Sequence, residues 1–384
     1  AGIEGPLAVF IPYAVALVAG GVCDALLVAA ERAHWQALLS LGTALGLVGA
    51  AALGLYIGLL PEQVLGLVSL VGLLRLVAGY VLVYRALGTG RWAPGEGWSA
   101  LLAYSRPIAL NDAVGALSRA VDRMVILYFF THDIFAEYHF GAVEVPISLL
   151  LAAVVSVLVP EVSQLYQSGQ MQAIARLWRQ AVSRLALVAL PLFCFLFAFA
   201  DLFIGWYLPA GYESSTWVFR VFLLSLPLRC AIYNPLLVGM GKASWALWGS
   251  LGDLVINGAL SVGLVLWLQG YWGAWAFLGP ALATVMATYL QVFFLVGAIA
   301  VHLRWSWSEL LPWSELFHVA LAGVLAAATA RWVVQWSAVS AWSQLLLGGA
   351  VFALLLVGVL CCNRAQRQSL RELYAAIVGG KRGQ

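Results

Sequence analysis

The chain has 384 residues, 63% of them hydrophobic and only 10% charged, and its mean hydropathy is +0.94. A soluble domain carries roughly 25% charged residues, so that class is excluded. The net charge of +3 is dispersed among loops without a basic patch interleaved with aromatics, which excludes a nucleic-acid partner.

Apolar runs of roughly 20–25 residues recur along the chain, each long enough to cross a ~30 Å hydrocarbon core. They are too long and too uniformly apolar for barrel strands, so helices are the spanning element. In chain order the predicted spans are about 7–30, 37–60, 64–84, 105–130, 140–164, 184–206, 216–240, 245–268, 273–301, 313–335 and 343–362. The fold class is all-α: a polytopic membrane protein of about eleven transmembrane helices. The connections are short and leave no room for a soluble domain.

Orientation follows the placement of Lys and Arg. One set of loops, with the tail, holds Arg32, Arg85, Arg91, Arg176, Arg179, Arg184, Lys242, Arg304, Arg364, Arg367, Arg371, Lys381 and Arg382. The alternate set, around Glu62, "THDIFAEYH", "AGYESS", "LQGYWG" and "SAVSAWS", holds none. The amino terminus of the chain is therefore expected outside and the carboxyl terminus in the cytoplasm, which fits a multi-pass protein of the cytoplasmic (inner) membrane. Leu370, Leu373 and Ile377 recur at helical spacing among charges, predicting a basic amphipathic tail on the inner leaflet.

The fourth span contains "NDAVGALSRAVDRMVILYFF", residues 111–130. Each charge at the centre of a bilayer costs ~2.5–3.5 kcal/mol on insertion scales, yet this span carries Asp112, Arg119, Asp122 and Arg123. At offsets of 0, 7, 10 and 11 they share one helical face, with Asn111 at its edge and Gly115 and Ala116 in the gap. Either Arg119 and Asp122 pair within the helix and the stripe is buried, or the stripe faces a water-filled cavity that handles a charged substrate. Other spans offer Asp24, Arg75, Glu144, Arg229 with Asn234, and Asp253 with Asn257. The candidate cavity set is Arg119, Arg123, Asp122, Asp112, Asn111, Arg75, Glu144, Arg229, Asp253 and Asn257. Arg220 and Arg331 lie near outer ends, where they can snorkel.

Enzymatic signatures are absent: there is no HExxH helix, nucleophile elbow, P-loop or dinucleotide fingerprint. His132, Asp133, Glu137 and His139 cluster in one predicted outer loop and read as an exposed acidic hairpin, not a metal site. Cys23, Cys194, Cys230, Cys361 and Cys362 sit in or beside apolar runs without zinc or disulfide spacing. No cofactor is expected.

Four stretches carry a resemblance: "SRPIALNDAVGALSRAVDRMVILYFF", "AEYHFGAVEVPISLLLAAVVSVLVPEVSQLYQSGQ", "PLFCFLFAFADLFIGWYLPAGYESSTWVFRVFLLSLPLR" and "GMGKASWALWGSLGDLVINGALSVGLVLWLQGYWGAWAFLGPALATVMA". Over about residues 100–300 the chain resembles the polysaccharide-biosynthesis membrane proteins, the O-antigen and exopolysaccharide flippases of the multidrug/oligosaccharidyl-lipid/polysaccharide exporter superfamily. The resemblance implies a MATE/MOP-flippase-like architecture of two six-helix lobes and two trailing helices. It implies a transporter, not an enzyme, that moves a polyprenyl-diphosphate-linked oligosaccharide between leaflets by alternating access. Its partners would be that lipid, the membrane lipids, and a proton or sodium as coupling ion. On this frame residues 1–100 are a partial first lobe of three helices, 101–302 the second lobe, 303–363 the trailing helices and 364–384 the tail. Three spans precede "SRPIALND" where the family has six, so the first lobe reads as truncated. A local departure is that the family's Gly-x-Tyr stands here as Ala136-Glu137-Tyr138, with Gly141 later. The alternatives are a MATE-like drug/cation antiporter, which needs a cavity dominated by carboxylates, and a protein of polysaccharide assembly without transport activity of its own.

Overall fold

The computed structural model describes residues 4–30, 32–88, 98–143, 145, 147–337 and 340–362. Glu144 and the tail at 364–384, both given a role above, lie outside the described residues. The chain divides into two units, Ala1–Trp98 and Ser99–Gln384, and no strand occurs among the described residues.

In the first unit α1 (Glu4–Ala29), α2 (Ala33–Ile57) and α3 (Pro61–Leu87) are joined by short turns. The α2–α3 turn uses Gly58 at φ 71°, and the Gln63 side chain accepts from the Leu60 amide at 3.0 Å. Helices in lipid gain little from apolar contact alone and associate through small residues and interhelical hydrogen bonds. The α3 face toward α1 follows that rule: Ser69, Gly72 and Gly79 are buried. The Ser69 hydroxyl donates to the Val9 carbonyl at 2.6 Å. Arg75 pairs with Asp24 at 2.5 Å on the same seam.

The second unit comprises α4 (Trp98–Phe129), α5 (His132–Gly141), α6 (Ser148–Gln167), α7 (Met171–Ala198), α8 (Ala200–Tyr207), α9 (Ser215–Leu223), α10 (Tyr233–Gly239), α11 (Ala243–Trp272), α12 (Gly279–Leu303), α13 (Trp307–Leu310), α14 (Trp313–Gln335) and α15 (Ala341–Cys362). Its core gathers on α7, where Trp178, Val182 and Leu185 meet Leu236 and Leu237 of α10 and Leu295 and Ile299 of α12. Glycines set the closest approaches: a Cβ on Gly249 of α11 would meet Leu295 at 2.8 Å, and one on Gly323 of α14 would meet the Cys194 sulfur of α7 at 3.0 Å.

Nine stretches among the described residues are long and apolar enough to cross a bilayer. The other two of the eleven expected spans are also helical: α1 runs 26 residues, and α4 is loaded with charge.

Two expected spans are interrupted. The loop predicted at "THDIFAEYH" is the helix α5, and residues 142, 143, 145 and 147, ahead of α6, are not helical. The span predicted at 216–240 is α9, a 3-10 turn at Leu226–Ala231, and α10. Pro227 and Pro235 remove amide donors, and Ile232 takes a left-handed conformation at φ 43°. Backbone freed at such a break must find partners inside the protein. The Ala231 carbonyl accepts the buried Trp178 indole N–H at 2.6 Å, and the Leu224 carbonyl accepts the Tyr289 hydroxyl at 3.0 Å. Helices α5 and α9 pair, the Ser215 hydroxyl donating to the Glu137 carbonyl at 2.7 Å. Helices α6 and α10 pair where a Cβ on Gly239 of α10 would lie 3.1 Å from the Val159 carbonyl of α6.

Arg331 of α14 pairs with Asp201 of α8 at 2.5 Å and Arg220 of α9 lies 3.6 Å from the same carboxylate. The two arginines expected to snorkel thus share one acid. Arg220 also stacks over Trp217, 5.0 Å from the ring centre.

Candidate functional site

The two breaks, α4, α11 and α12 surround a cavity of about 840 Å³ within the second unit. Helix α4 supplies its charged wall, as the stripe predicts: Asn111, Asp112, Arg119, Asp122 and Arg123 all line it, with Gly115 and Ala116 between. At 1.5 Å rise per residue, Asn111 to Arg123 spans about 18 Å along the helix. Arg229 and Asn234 reach the cavity from the second break, and Asp253 from α11.

Toward the carboxyl end of α4, Asp122 is 3% exposed. Its Oδ2 accepts the hydroxyl of Tyr138 at 2.9 Å and its Oδ1 the Arg123 amide at 2.8 Å. Tyr138 is fully buried in an apolar cluster with Ile126, Val218, Phe277 and Ala281. The pairing of Arg119 with Asp122 considered from the sequence is not formed, because Tyr138 occupies that carboxylate. Among the described residues no carboxylate lies within ion-pairing distance of Arg119 or Arg123. Arg119 is exposed, and the buried Nε of Arg123 has no hydrogen-bond partner.

Midway between these and Asn111, polar contacts attach α4 to α11. The Ser118 hydroxyl donates to Asp253 Oδ2 at 2.6 Å, leaving the buried Asp253 Oδ1 without a partner. Asn257 is fully buried. It donates to the Ser118 carbonyl at 3.2 Å and accepts from Ser261 at 3.1 Å and Thr284 at 3.2 Å. These bonds use its side chain within the helix interface, and it does not lie on the cavity wall. Nearer the start of α4 the Ser250 hydroxyl donates to Asn111 Oδ1 at 2.8 Å and accepts from Gln291 Nε2 at 3.1 Å.

Of the ten predicted residues, seven share this cavity: Asn111, Asp112, Arg119, Asp122, Arg123, Arg229 and Asp253. Asn257 stands behind it. Arg75 belongs to the first unit, where Asp24 neutralises it, and Glu144 lies outside the described residues. Residue-by-residue reading missed Ser118, Tyr138, Ser250, Thr288 and Gln291. A signal existed: Thr284, Thr288 and Gln291 recur at i, i+4 and i+7, and Ser250, Asp253, Asn257 and Ser261 form a similar polar stripe, each on an otherwise apolar helix.

Fold and site together define a polytopic α-helical membrane protein with a charged internal cavity framed by broken spans. Residues 8–216 match the polysaccharide biosynthesis protein family. That is more than half of the chain, and the chain belongs to this family. The match runs from α1 to the start of α9, so it includes the charged α4 and begins well ahead of the stretch where the resemblance was read. No curated protein sequence matches the chain. Among solved structures it is similar to the lipid II flippase MurJ in an inward closed conformation, with a TM-score of 0.67 at 12% identity, covering 92% of this chain and 73% of that one. At that identity the likeness is one of fold.

Proposed function

We propose that the chain is a flippase that moves a polyprenyl-diphosphate-linked oligosaccharide across the cytoplasmic membrane by alternating access. The carrying observation is that Arg119, Arg123 and Arg229 converge on one cavity inside an apolar bundle, in a chain of the polysaccharide biosynthesis family. A sugar diphosphate cannot cross hydrocarbon unaided. Guanidinium groups supply permanent positive charge and a planar fork of donors matched to phosphate oxygens, while the polyprenyl tail stays in lipid. The fold shared with a lipid II flippase supports transport over catalysis. A proton or sodium gradient supplies the drive.

Three carboxylates also line the cavity, but Asp122 is already held by Tyr138 and Asp253 by Ser118. That weighs against the cation antiporter. Orientation and domain reading belong to this proposal as well, with the first residues outside, the last in the cytoplasm, and 101–302 acting as the second lobe. A reporter after Arg91 or Arg179 should then be cytoplasmic and one near Glu213 exported.

The test is export of lipid-linked sugar by Arg119→Ala and Arg123→Ala variants. Loss of a charge-assisted contact costs ~1.5–3 kcal/mol, roughly ten- to a hundredfold. Both variants should export poorly while remaining abundant and inserted, and Lys at either position should rescue in part. Normal export by both would refute the assignment. Preferential loss of a lipophilic cation as cargo would establish the antiporter instead.

A further inference from the structure

The cavity is chemically divided along its length. On α4, Arg119 and Arg123 lie toward its middle and outer end. The inner end, two to three turns nearer the start of α4, is built from neutral amides and hydroxyls on three helices: Asn111 of α4, Ser250 of α11, and Thr288 and Gln291 of α12, all on the wall. Asp112, exposed beside Asn111, adds a carboxylate at the same level.

We infer that this inner cluster is the saccharide subsite, and that substrate lies with its diphosphate at the arginines and its sugars toward the cytoplasmic end. The inference rests on the flippase reading and adds to it the residues that recognise the sugar. The hydrogen-bond chain fixes the cluster's geometry: Gln291 donates to Ser250 at 3.1 Å and Ser250 to Asn111 at 2.8 Å. Each amide spends one group on this chain. An amide carries two donors and an acceptor with two lone pairs, so Gln291 keeps its carbonyl oxygen and one N–H, and Asn111 keeps most of its NH2. Their one further bond, from Asn111 Nδ2 to Asp112 Oδ1, is long at 3.5 Å.

Sugar hydroxyls donate and accept at once. Fixed amides beside a carboxylate match that chemistry, and they give phosphate no charge to bind. The Thr288 hydroxyl points the other way, donating to the Thr284 carbonyl at 2.8 Å, so its oxygen is available as an acceptor. The neighbouring Asn257 network is closed on itself and offers no such groups, which confines the subsite to the inner end.

The experiment compares two probes on the purified full chain in nanodiscs: polyprenyl diphosphate without sugar, and the same lipid carrying a disaccharide. Loss of one neutral hydrogen bond corresponds to about a two- to tenfold change in affinity. Gln291→Ala and Asn111→Ala should each weaken binding of the disaccharide lipid by that factor and leave the bare lipid within twofold of wild type. Arg119→Ala should weaken both. Gln291→Glu, which keeps size and shape, guards against a folding defect and should also discriminate between the probes. Equal loss of both probes, or no loss of either, would overturn the subsite. If Gln291→Ala discriminates while Arg119→Ala affects neither lipid, the sugar subsite stands and the placement of the diphosphate fails. If the wild-type chain binds neither probe, the flippase reading fails and takes the subsite with it.

Discussion

Replacing Tyr138 with phenylalanine removes one oxygen from a fully buried side chain and takes from Asp122 the donor at 2.9 Å. The ring still fills its pocket against Ile126 and Val218, so the packing contribution is nearly unchanged and the hydrogen bond is isolated. Hydrogen bonds between membrane helices average about 0.6 kcal/mol by double-mutant cycles, with a maximum near 1.7. Those to charged groups in general reach ~1.5–3 kcal/mol. Asp122 is nearly inaccessible, and its other oxygen is satisfied only by the Arg123 amide at 2.8 Å, so the upper part of the membrane range applies. The expected coupling is about 1.5 kcal/mol. A cycle of Tyr138→Phe, Asp122→Ala and the double variant, followed by reversible unfolding in mixed micelles, measures it. Coupling within about 0.3 kcal/mol of zero would refute the argument, because it would mean that water satisfies the carboxylate equally well. Since α5 carries Tyr138, the same variants should also loosen α5 from α4, read as faster amide exchange across residues 132–141.

Gly141→Val should lower the yield of folded protein sharply, with Gly141→Ala intermediate, because a Cβ there would stand 2.6 Å from the Ser215 carbonyl and 2.8 Å from Val218 Cβ; wild-type yield of the Val variant would show that α5 and α9 are not so closely apposed. Arg331→Ala should destabilise more than Arg220→Ala, given 2.5 Å against 3.6 Å to Asp201. Both effects should stay under about 1 kcal/mol because these side chains are partly exposed. Thermal unfolding followed by fluorescence ranks the two, and the reverse order would count against the ion-pair geometry. Arg119→Cys should react with a small hydrophilic thiol reagent in intact membranes, whereas Ile126→Cys, at a fully buried position, should not; equal protection of both would mean the stripe does not face water.

The helical class and the nine apolar stretches among the described residues were legible because apolar runs of bilayer length are a strong signal. The charged face of α4 was legible for the converse reason, that ionisable groups in lipid are too costly to be incidental. The breaks were not. Hydropathy averages over a window, so 216–240 reads as one run although Pro227, Pro235 and the left-handed Ile232 divide it. The loop misread at "THDIFAEYH" has the same origin: α5 is too polar to register as a span and too short to show a periodic pattern. The partner of Asp122 was hidden because sequence spacing reports only neighbours on the same helix. Arg119 stands three residues away, whereas the donor that reaches Asp122 is Tyr138, on the next helix. The inner amide cluster needs three helices brought together, and Asn111, Ser250 and Gln291 are far apart in sequence.

An unbroken helix crossing a bilayer is a rod, so a tilt applied at one face is delivered to the other. Two of the rods around this cavity have been cut, and the cut ends are spliced crosswise. Helix α5 is fastened to α9 through Ser215 and Glu137, and α6 to α10 where Gly239 meets Val159. Each splice is a short joint of its own, and neither runs through the cut. A tilt of α5 and α9 is therefore not carried through a continuous helix into α6 and α10.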